Sequence, residues 1–311
     1  MEPAPFFAEV ADGPDDGAAH WVETRDGLRL RIGHWPAPGA RGTVLLFPGR
    51  TEYIEKYGRD ARALAERGYA SVTIDWRGQG ISARMQDDPL VGHVEAFPDY
   101  QHDVAAMTAY ADELGLPRPH YLLAHSMGGC IGLRSLYEGL DVVAVAFSAP
   151  MWGIQMSATL RPFAWGLSSI ARPLRFGHRF APGHGGDPYI MRAAFEMNNL
   201  TSDREMFDYM QRQIHEHPDL GLGGPSLHWL NEALTEMREL ARRSSPDIAC
   251  VTFLGTEETI VDPGRIEARM ARWESGELVP VEGGRHEILM EAPRHREMIF
   301  NRIADHFAAA A

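Results

Sequence analysis

The chain has almost no lysine. Lys56 is the only one, and every other basic side chain is an arginine. Such a bias fits either recognition through guanidinium groups or the coding habits of the source, and carries no function by itself. Clustered basic residues are also missing. With a formal net charge of −13, the protein lacks the footprint needed to neutralise phosphates, which excludes nucleic acid and anionic membrane surfaces as general partners. Cysteine is scarce: Cys130 and Cys250 are the two present. Both lie in apolar stretches, where cysteine behaves as a small buried hydrophobe, and they set up no disulfide framework. Nowhere do about 18 uninterrupted apolar residues occur, and the first seven residues hold neither a basic region nor an apolar segment of signal length. A soluble cytoplasmic protein with no integral membrane association is therefore expected. Internal repeats are lacking, and the terminal alanines are the one low-complexity tract.

What is present is an alternation of short apolar runs and helix-sized segments. The 311 residues suffice for one large α/β domain with an insertion, or for two small domains. Residues 1–18, rich in Pro, Asp, Gly and Ala, read as a loosely held arm. A hairpin is expected around Asp26-Gly27, between His20–Thr24 and Leu28–Ile32. Buried parallel strands are expected at Thr43–Phe47, Ala70–Ile74, the run ending at His125, Val142–Phe147, Ile248–Leu254 and Glu277–Val281. Helices are expected at Ile54–Arg67, Tyr100–Glu113, Gly128–Tyr137, Gly264–Trp273 and Arg294–Ala309. Strand, helix, strand at this spacing implies right-handed crossovers in a mostly parallel sheet flanked by helices.

Between residues 151 and 235 strand-like runs vanish. Met, Trp, Phe and Arg become frequent among pieces broken by Pro162, Pro173, Pro182 and Gly183. The domain reading is thus a core of 1–150 and 236–311, interrupted by a helical insertion at 151–235. Its apolar residues Met151, Trp152, Met156, Leu160, Phe163, Trp165 and Leu167 form either a core of its own or the lining of an apolar pocket.

The organising stretch is Tyr121 to Gly132. An apolar run meets Ala124-His125-Ser126-Met127-Gly128, and a helix-compatible segment follows with no room for a loop. A serine on so sharp a strand-to-helix turn requires small residues two before and two after it, because strand and helix pass very close. Ala124 and Gly128 fill those places. A serine hydroxyl is a poor nucleophile at neutral pH, so Ser126 needs a base and an acid to orient that base. His286 lies in the loop after the last strand, where the carboxyl ends of a parallel sheet gather functional loops. Glu258 lies in the loop after the preceding strand, with Glu257 and Asp262 as alternative acids. An oxyanion needs two backbone donors. They are assigned to the N–H of Met127, after the nucleophile, and the N–H of Arg50, in the loop after Phe47. The Arg50 side chain is expected to meet an anionic part of the substrate or to pair with Glu52 or Glu55. No metal or cofactor is implied: His215 and His217 lie close together but lack partner ligands.

The ordered set Phe47-Pro48-Gly49, Asp75-Trp76-Arg77-Gly78-Gln79-Gly80-Ile81-Ser82, Ala124-His125-Ser126-Met127-Gly128-Gly129, Gly255 to Asp262 and His286-Glu287 resembles the α/β-hydrolase superfamily. More closely, it is similar to the lysophospholipase and monoacylglycerol lipase branch, often grouped with serine aminopeptidase-like hydrolases. The likeness runs from about Gly27 to Phe307 and takes in Gly223-Gly224-Pro225-Ser226 with Trp229. It implies an α/β-hydrolase fold with a helical cap, Ser126 as nucleophile, His286 as base, Glu258 as acid, and Arg50 with Met127 as oxyanion donors. Three departures stand out. Pro48 replaces the branch's usual histidine, Ala124 replaces the first elbow glycine, and Glu258 stands where the branch has aspartate.

The expected activity is hydrolysis of carboxylic esters with an apolar acyl chain through an acyl-enzyme, on a small-molecule, lipid-derived substrate. Two other readings use the same fold. One is an aminopeptidase or amidase with acidic insertion residues holding a substrate ammonium; the other is a hydrolase-fold binding protein without turnover.

Overall fold

The computed structural model describes residues 1–157, 160–171 and 174–310. Among them the strands are β1 (Glu2–Pro3), β2 (Ala18–Glu23), β3 (Arg29–Trp35), β4 (Thr43–Phe47), β5 (Ala70–Ile74), β6 (His120–His125), β7 (Ala144–Ser148), β8 (Ala249–Gly255) and β9 (Gly276–Val281). They form one sheet in the order β1-β2-β3-β5-β4-β6-β7-β8-β9. From β5 to β9 every pairing is parallel, while β1, β2 and β3 join at one edge in antiparallel fashion. The helices are α1 (Ala8–Ala11), α2 (Gly58–Ala65), α3 (Tyr100–Glu113), α4 (Met127–Tyr137), α5 (Leu160–Ala171), α6 (Tyr189–Arg192), α7 (Arg204–Glu216), α8 (Leu227–Leu240), α9 (Pro263–Met270) and α10 (Pro293–Ala309).

Parallel strands are joined by crossovers that lay helices over the sheet, so their residues are buried on both faces. Val44, Leu45, Leu46 and Phe47 of β4 are accordingly all inaccessible. Two groups of helices provide the cover, α2 with α10 and α3 with α4 and α8. The expected hairpin is present, with Gly27 at φ +82° supplying the left-handed residue of its turn.

The N-terminal arm is not loose. Glu2 and Pro3 pair with Trp21 and His20, Val10 and Ala11 are fully buried, and the Ala11 carbonyl accepts the Tyr209 hydroxyl at 2.7 Å. Composition suggested disorder, but the few apolar residues of the arm have a place to go. Gly58 makes that place: a Cβ there would lie 1.9 Å from the Ala11 oxygen.

Between β7 and β8 the described residues form α5 to α8, 3-10 turns and isolated bridges but no strand pairing into the sheet. The expected boundary at 235 falls inside α8. This helix is shared, because its residues Trp229, Ala233, Leu234, Met237 and Leu240 belong to the main core. Pro162, expected to break a helix, sits instead in the first turn of α5, where proline is tolerated. Pro173 and the Leu160 side chain lie outside the described residues. The remaining apolar residues divide. Met151 and Trp152 join the main core with Met156 and Trp165 against it, Leu167 packs in a small cluster with Ala171, Ala181 and Leu227, and Phe163 is 61% exposed.

Candidate active site

The elbow forms where β6 runs directly into α4. Ser126 sits between them at φ +50°, ψ −116°, a strained conformation for a non-glycine residue that persists only when its surroundings over-determine it. They do: its N–H donates to the Ser148 carbonyl at 3.0 Å, and its own carbonyl accepts from Met151 at 2.8 Å and Gly129 at 2.9 Å. Gly128 is obligatory, since a Cβ there would stand 2.1 Å from the Phe47 oxygen. Ala124 is tolerated for a complementary reason. Its methyl faces Gly132, where even an added Cβ would lie 3.5 Å away.

The loops after β8 and β9 meet Ser126 at the carboxyl edge of the sheet. His286 Nε2 lies 2.9 Å from Ser126 Oγ, and His286 Nδ1 lies 2.7 Å from Glu258 Oε2. All three residues are buried. The second carboxylate oxygen of Glu258 accepts the N–H groups of Ile260 at 2.6 Å and Val261 at 3.1 Å. The extra methylene relative to aspartate is thus taken up by a side chain pinned at both oxygens. Burial by itself would raise the Glu258 pKa, but the His286 ring and those two N–H donors outweigh it and hold the group below its ordinary value. The alternatives lie elsewhere. Glu257 is largely exposed, 3.5 Å from Arg285. Asp262 caps α9 and pairs with Arg161 at 3.0 Å.

Arg50 follows β4 in the loop beside the elbow. Among the described residues, neither its N–H nor that of Met127 donates to a protein acceptor. The loop is braced from within: Pro48 O accepts Trp76 Nε1 at 2.9 Å, Gly49 O accepts Gln79 Nε2 at 3.1 Å, and Gly49 N–H donates to Glu52. The Arg50 side chain pairs with neither Glu52 nor Glu55. Its guanidinium donates to the Gly223 carbonyl at 2.7 Å and lies over the Trp229 ring, while Glu55 is taken by Arg31. Without a carboxylate partner, burial lowers the Arg50 pKa to about 10.

Two further groups of side chains have the donor types of a metal site. In the first, Glu52, His125 and Glu287, the space between the carboxylates is filled by the ammonium of Lys56, which bonds both. In the second, His93, Glu95 and His228, the ring nitrogens already meet Ser226 Oγ at 2.9 Å, Glu95 Oε1 at 3.3 Å and the Glu95 carbonyl at 2.8 Å. Hydrogen bonding accounts for the second group and for the carboxylates of the first, where, among the described residues, the buried His125 Nε2 has only charge contacts, the nearer with Glu287 Oε2 at 3.2 Å. His217 binds Glu9 at 2.7 Å and stacks on Phe7. Sequence reasoning singled out Lys56 for its rarity but gave it no place in the site; a lysine standing alone among arginines was the available signal.

Comparison with known proteins places the chain in a family. The family model described as serine aminopeptidase, S33, matches residues 38–293. Lysophospholipase L2 of Escherichia coli (strain K12) is 32% identical over 292 residues, covering 91% of this chain and 85% of that protein. The probable lysophospholipase L2 of Haemophilus influenzae is 27% identical, covering 97% and 93%. Among solved structures, a soluble variant of monoglyceride lipase from Saccharomyces cerevisiae, in complex with a substrate analog, superposes with a TM-score of 0.73 at 21% identity, covering 93% of this chain and 94% of that one. A nine-stranded, mostly parallel sheet, a serine elbow at its carboxyl edge and these matches lead to one assignment: the chain belongs to the serine aminopeptidase S33 family of α/β-hydrolases, in its lysophospholipase and monoacylglycerol lipase-like branch.

Proposed function

We propose that the protein is a serine hydrolase of carboxylic esters with an apolar acyl chain, of the lysophospholipid or monoacylglycerol kind. The observation that carries this reading is the continuous hydrogen-bonded line from Glu258 through His286 to Ser126. Ser126 Oγ attacks the ester carbonyl while His286 Nε2 takes its proton. Glu258 fixes the ring orientation and stabilises the imidazolium. The oxyanion is received by the N–H groups of Arg50 and Met127. His286 then protonates the departing alcohol, leaving the acyl group on Ser126. Water, deprotonated by the same base, releases the acid and restores the serine.

The substrate class draws support from two sides. The relatives include lysophospholipases L2 and, over a shorter stretch, a monoglyceride lipase. The insertion at 151–235 adjoins the site loops through Asn199, Leu200 and Gly223 and carries large exposed apolar side chains, including Phe163, Ile170 and Met197, as a cap for an acyl chain would. Fluorophosphonate labelling and p-nitrophenyl ester hydrolysis test the proposal. Both are expected in the wild-type protein and lost in Ser126→Ala, and survival of either in that variant overturns it. A matched ester and amide pair separates esterase from amidase. A panel of lysophospholipids and monoacylglycerols of graded chain length then fixes headgroup and acyl preference.

A further inference from the structure

The one lysine of the chain is buried behind the candidate site. Lys56, in the 3-10 turn Ile54–Tyr57, is 4% exposed. Its ammonium bonds Glu52 and, at 2.6 Å, Glu287 Oε2. Each partner leads to a different part of the site. Glu52 also accepts the N–H of Gly49 and the hydroxyl of Tyr57, so it holds the loop that presents the Arg50 N–H. Glu287 directly follows His286, and its Oε2 lies 3.2 Å from His125 Nε2. His125 directly precedes Ser126 and is anchored at Nδ1, 3.1 Å from the Ser148 carbonyl. One ammonium therefore joins the oxyanion loop, the residue before the nucleophile and the residue after the base. Every other cation of the chain except histidine is an arginine. The exception stands where two carboxylates converge on one point, which suits a compact ammonium better than a planar guanidinium fork.

We propose that Lys56 is a positioning residue for ester hydrolysis: clamped between Glu52 and Glu287, it fixes the oxyanion loop, the nucleophile and the base relative to one another and offsets one of the two negative charges behind the base. This inference rests on the esterase reading. The groups facing the His286 ring are Ser126, Glu258, the His125 ring at 5.0 Å and the adjoining Glu287. Of these, Glu287 is the charge that Lys56 cancels. Burial disfavours the ionised forms of both partners, yet their mutual attraction keeps Lys56 above and Glu287 well below the ordinary values.

The test is Lys56→Met, compared with the double variant Lys56→Met/Glu287→Gln, in which the lost positive charge is balanced by a lost negative one. In Lys56→Met, kcat is expected to fall roughly 10- to 100-fold, the scale of a displaced catalytic group, with KM changed less than about threefold. The acid limb of its kcat/KM profile moves to higher pH, because carboxylates left without their cation favour the protonated base. In the double variant the limb returns to its wild-type position while kcat stays low. Circular dichroism and thermal melting report folding for each protein. A folded Lys56→Met with wild-type kcat and an unmoved acid limb overturns the inference, as does a loss proportional to the unfolded fraction with the limb unmoved. If Lys56→Met does not fold, the double variant decides, and wild-type kcat there overturns the inference equally. Ser126→Ala keeps the two readings apart. Turnover that survives it sinks the esterase reading, whereas Ser126-dependent turnover indifferent to Lys56 sinks this inference alone.

Discussion

The sheet with its carboxyl-edge loops and the insertion at 151–235 are built on opposite plans. Around the sheet, one continuous apolar core reaches from Ala19 to Phe307, and several buried charges are paired. Arg31, for example, is fully enclosed between Glu55 and Asp75 at 2.7 and 2.8 Å. The insertion shares Met151, Trp152 and the α8 residues Trp229, Ala233 and Leu234 with that core, gathers others in small clusters such as Met206 with Tyr209 and Met210 against Met290, and leaves Phe163 and Met197 largely exposed. Yet it is tied to the site. Asn199 and Leu200 accept the N–H groups of His286 and Glu287, and Gly223 accepts Arg50. The sheet is thus the frame that carries Ser126, His286 and Glu258 on its own loops, and the insertion leans on those loops. On the proposed reading, the first sets the geometry of the reaction and the second receives the apolar part of the substrate.

Substitutions that strike the frame and spare the insertion, or the reverse, separate these roles. Ser126→Ala has the largest expected effect, a loss of about 10⁴- to 10⁶-fold in kcat for any ester, read with a chromogenic acetate or butyrate. Glu258→Gln follows, with a loss on the order of 10⁴-fold. Asp262→Asn, which touches a helix cap and an ion pair with Arg161, stays within about tenfold; a reversed order in parallel assays transfers the role of the acid to Asp262. In the buried frame, Leu46→Ala costs about 2–5 kcal/mol of folding stability by denaturant titration. Phe163→Ser, on the exposed side of α5, changes stability by no more than about 0.5 kcal/mol. Its effect belongs to long-chain substrates, and equal losses on short and long esters would deny the insertion an acyl role.

The smallest effect expected is in pH dependence. Because the folded Glu258 pKa lies below the usual 4.5, its stabilising contribution is complete above that value and fades as pH falls through the folded one. Glu258→Gln should flatten the stability profile there, and an unchanged slope in acid denaturation would contradict this.

Much of the frame was legible beforehand. The parallel strands announced themselves as short continuous apolar runs, and the elbow as a serine among small residues at a strand-to-helix junction. His286 followed from its position after the last strand, and an acid from the loop after the preceding one, where Glu258 stood with Glu257 and Asp262 as alternatives. The arm at residues 1–18 was not legible, because burial of Val10 and Ala11 depends on Gly58 and Tyr209, far off in sequence. Nor was the boundary at 235, since the apolar face of α8 suits either an insertion or a core. The Arg50 side chain also went elsewhere than its neighbours in sequence suggested. Glu52 and Glu55 were already engaged by Lys56 and Arg31.

Sequence by itself determined the strand and helix pattern, the elbow and the order of serine, acid and histidine. These depend on local periodicity, steric limits at one turn and the rule that functional loops follow strands. Tertiary structure alone decided which carboxylate meets His286, where the Arg50 guanidinium rests and what surrounds Lys56. Each of those is a choice among several chemically equivalent partners. Such choices are made by distance and desolvation, and both exist only once the chain has folded.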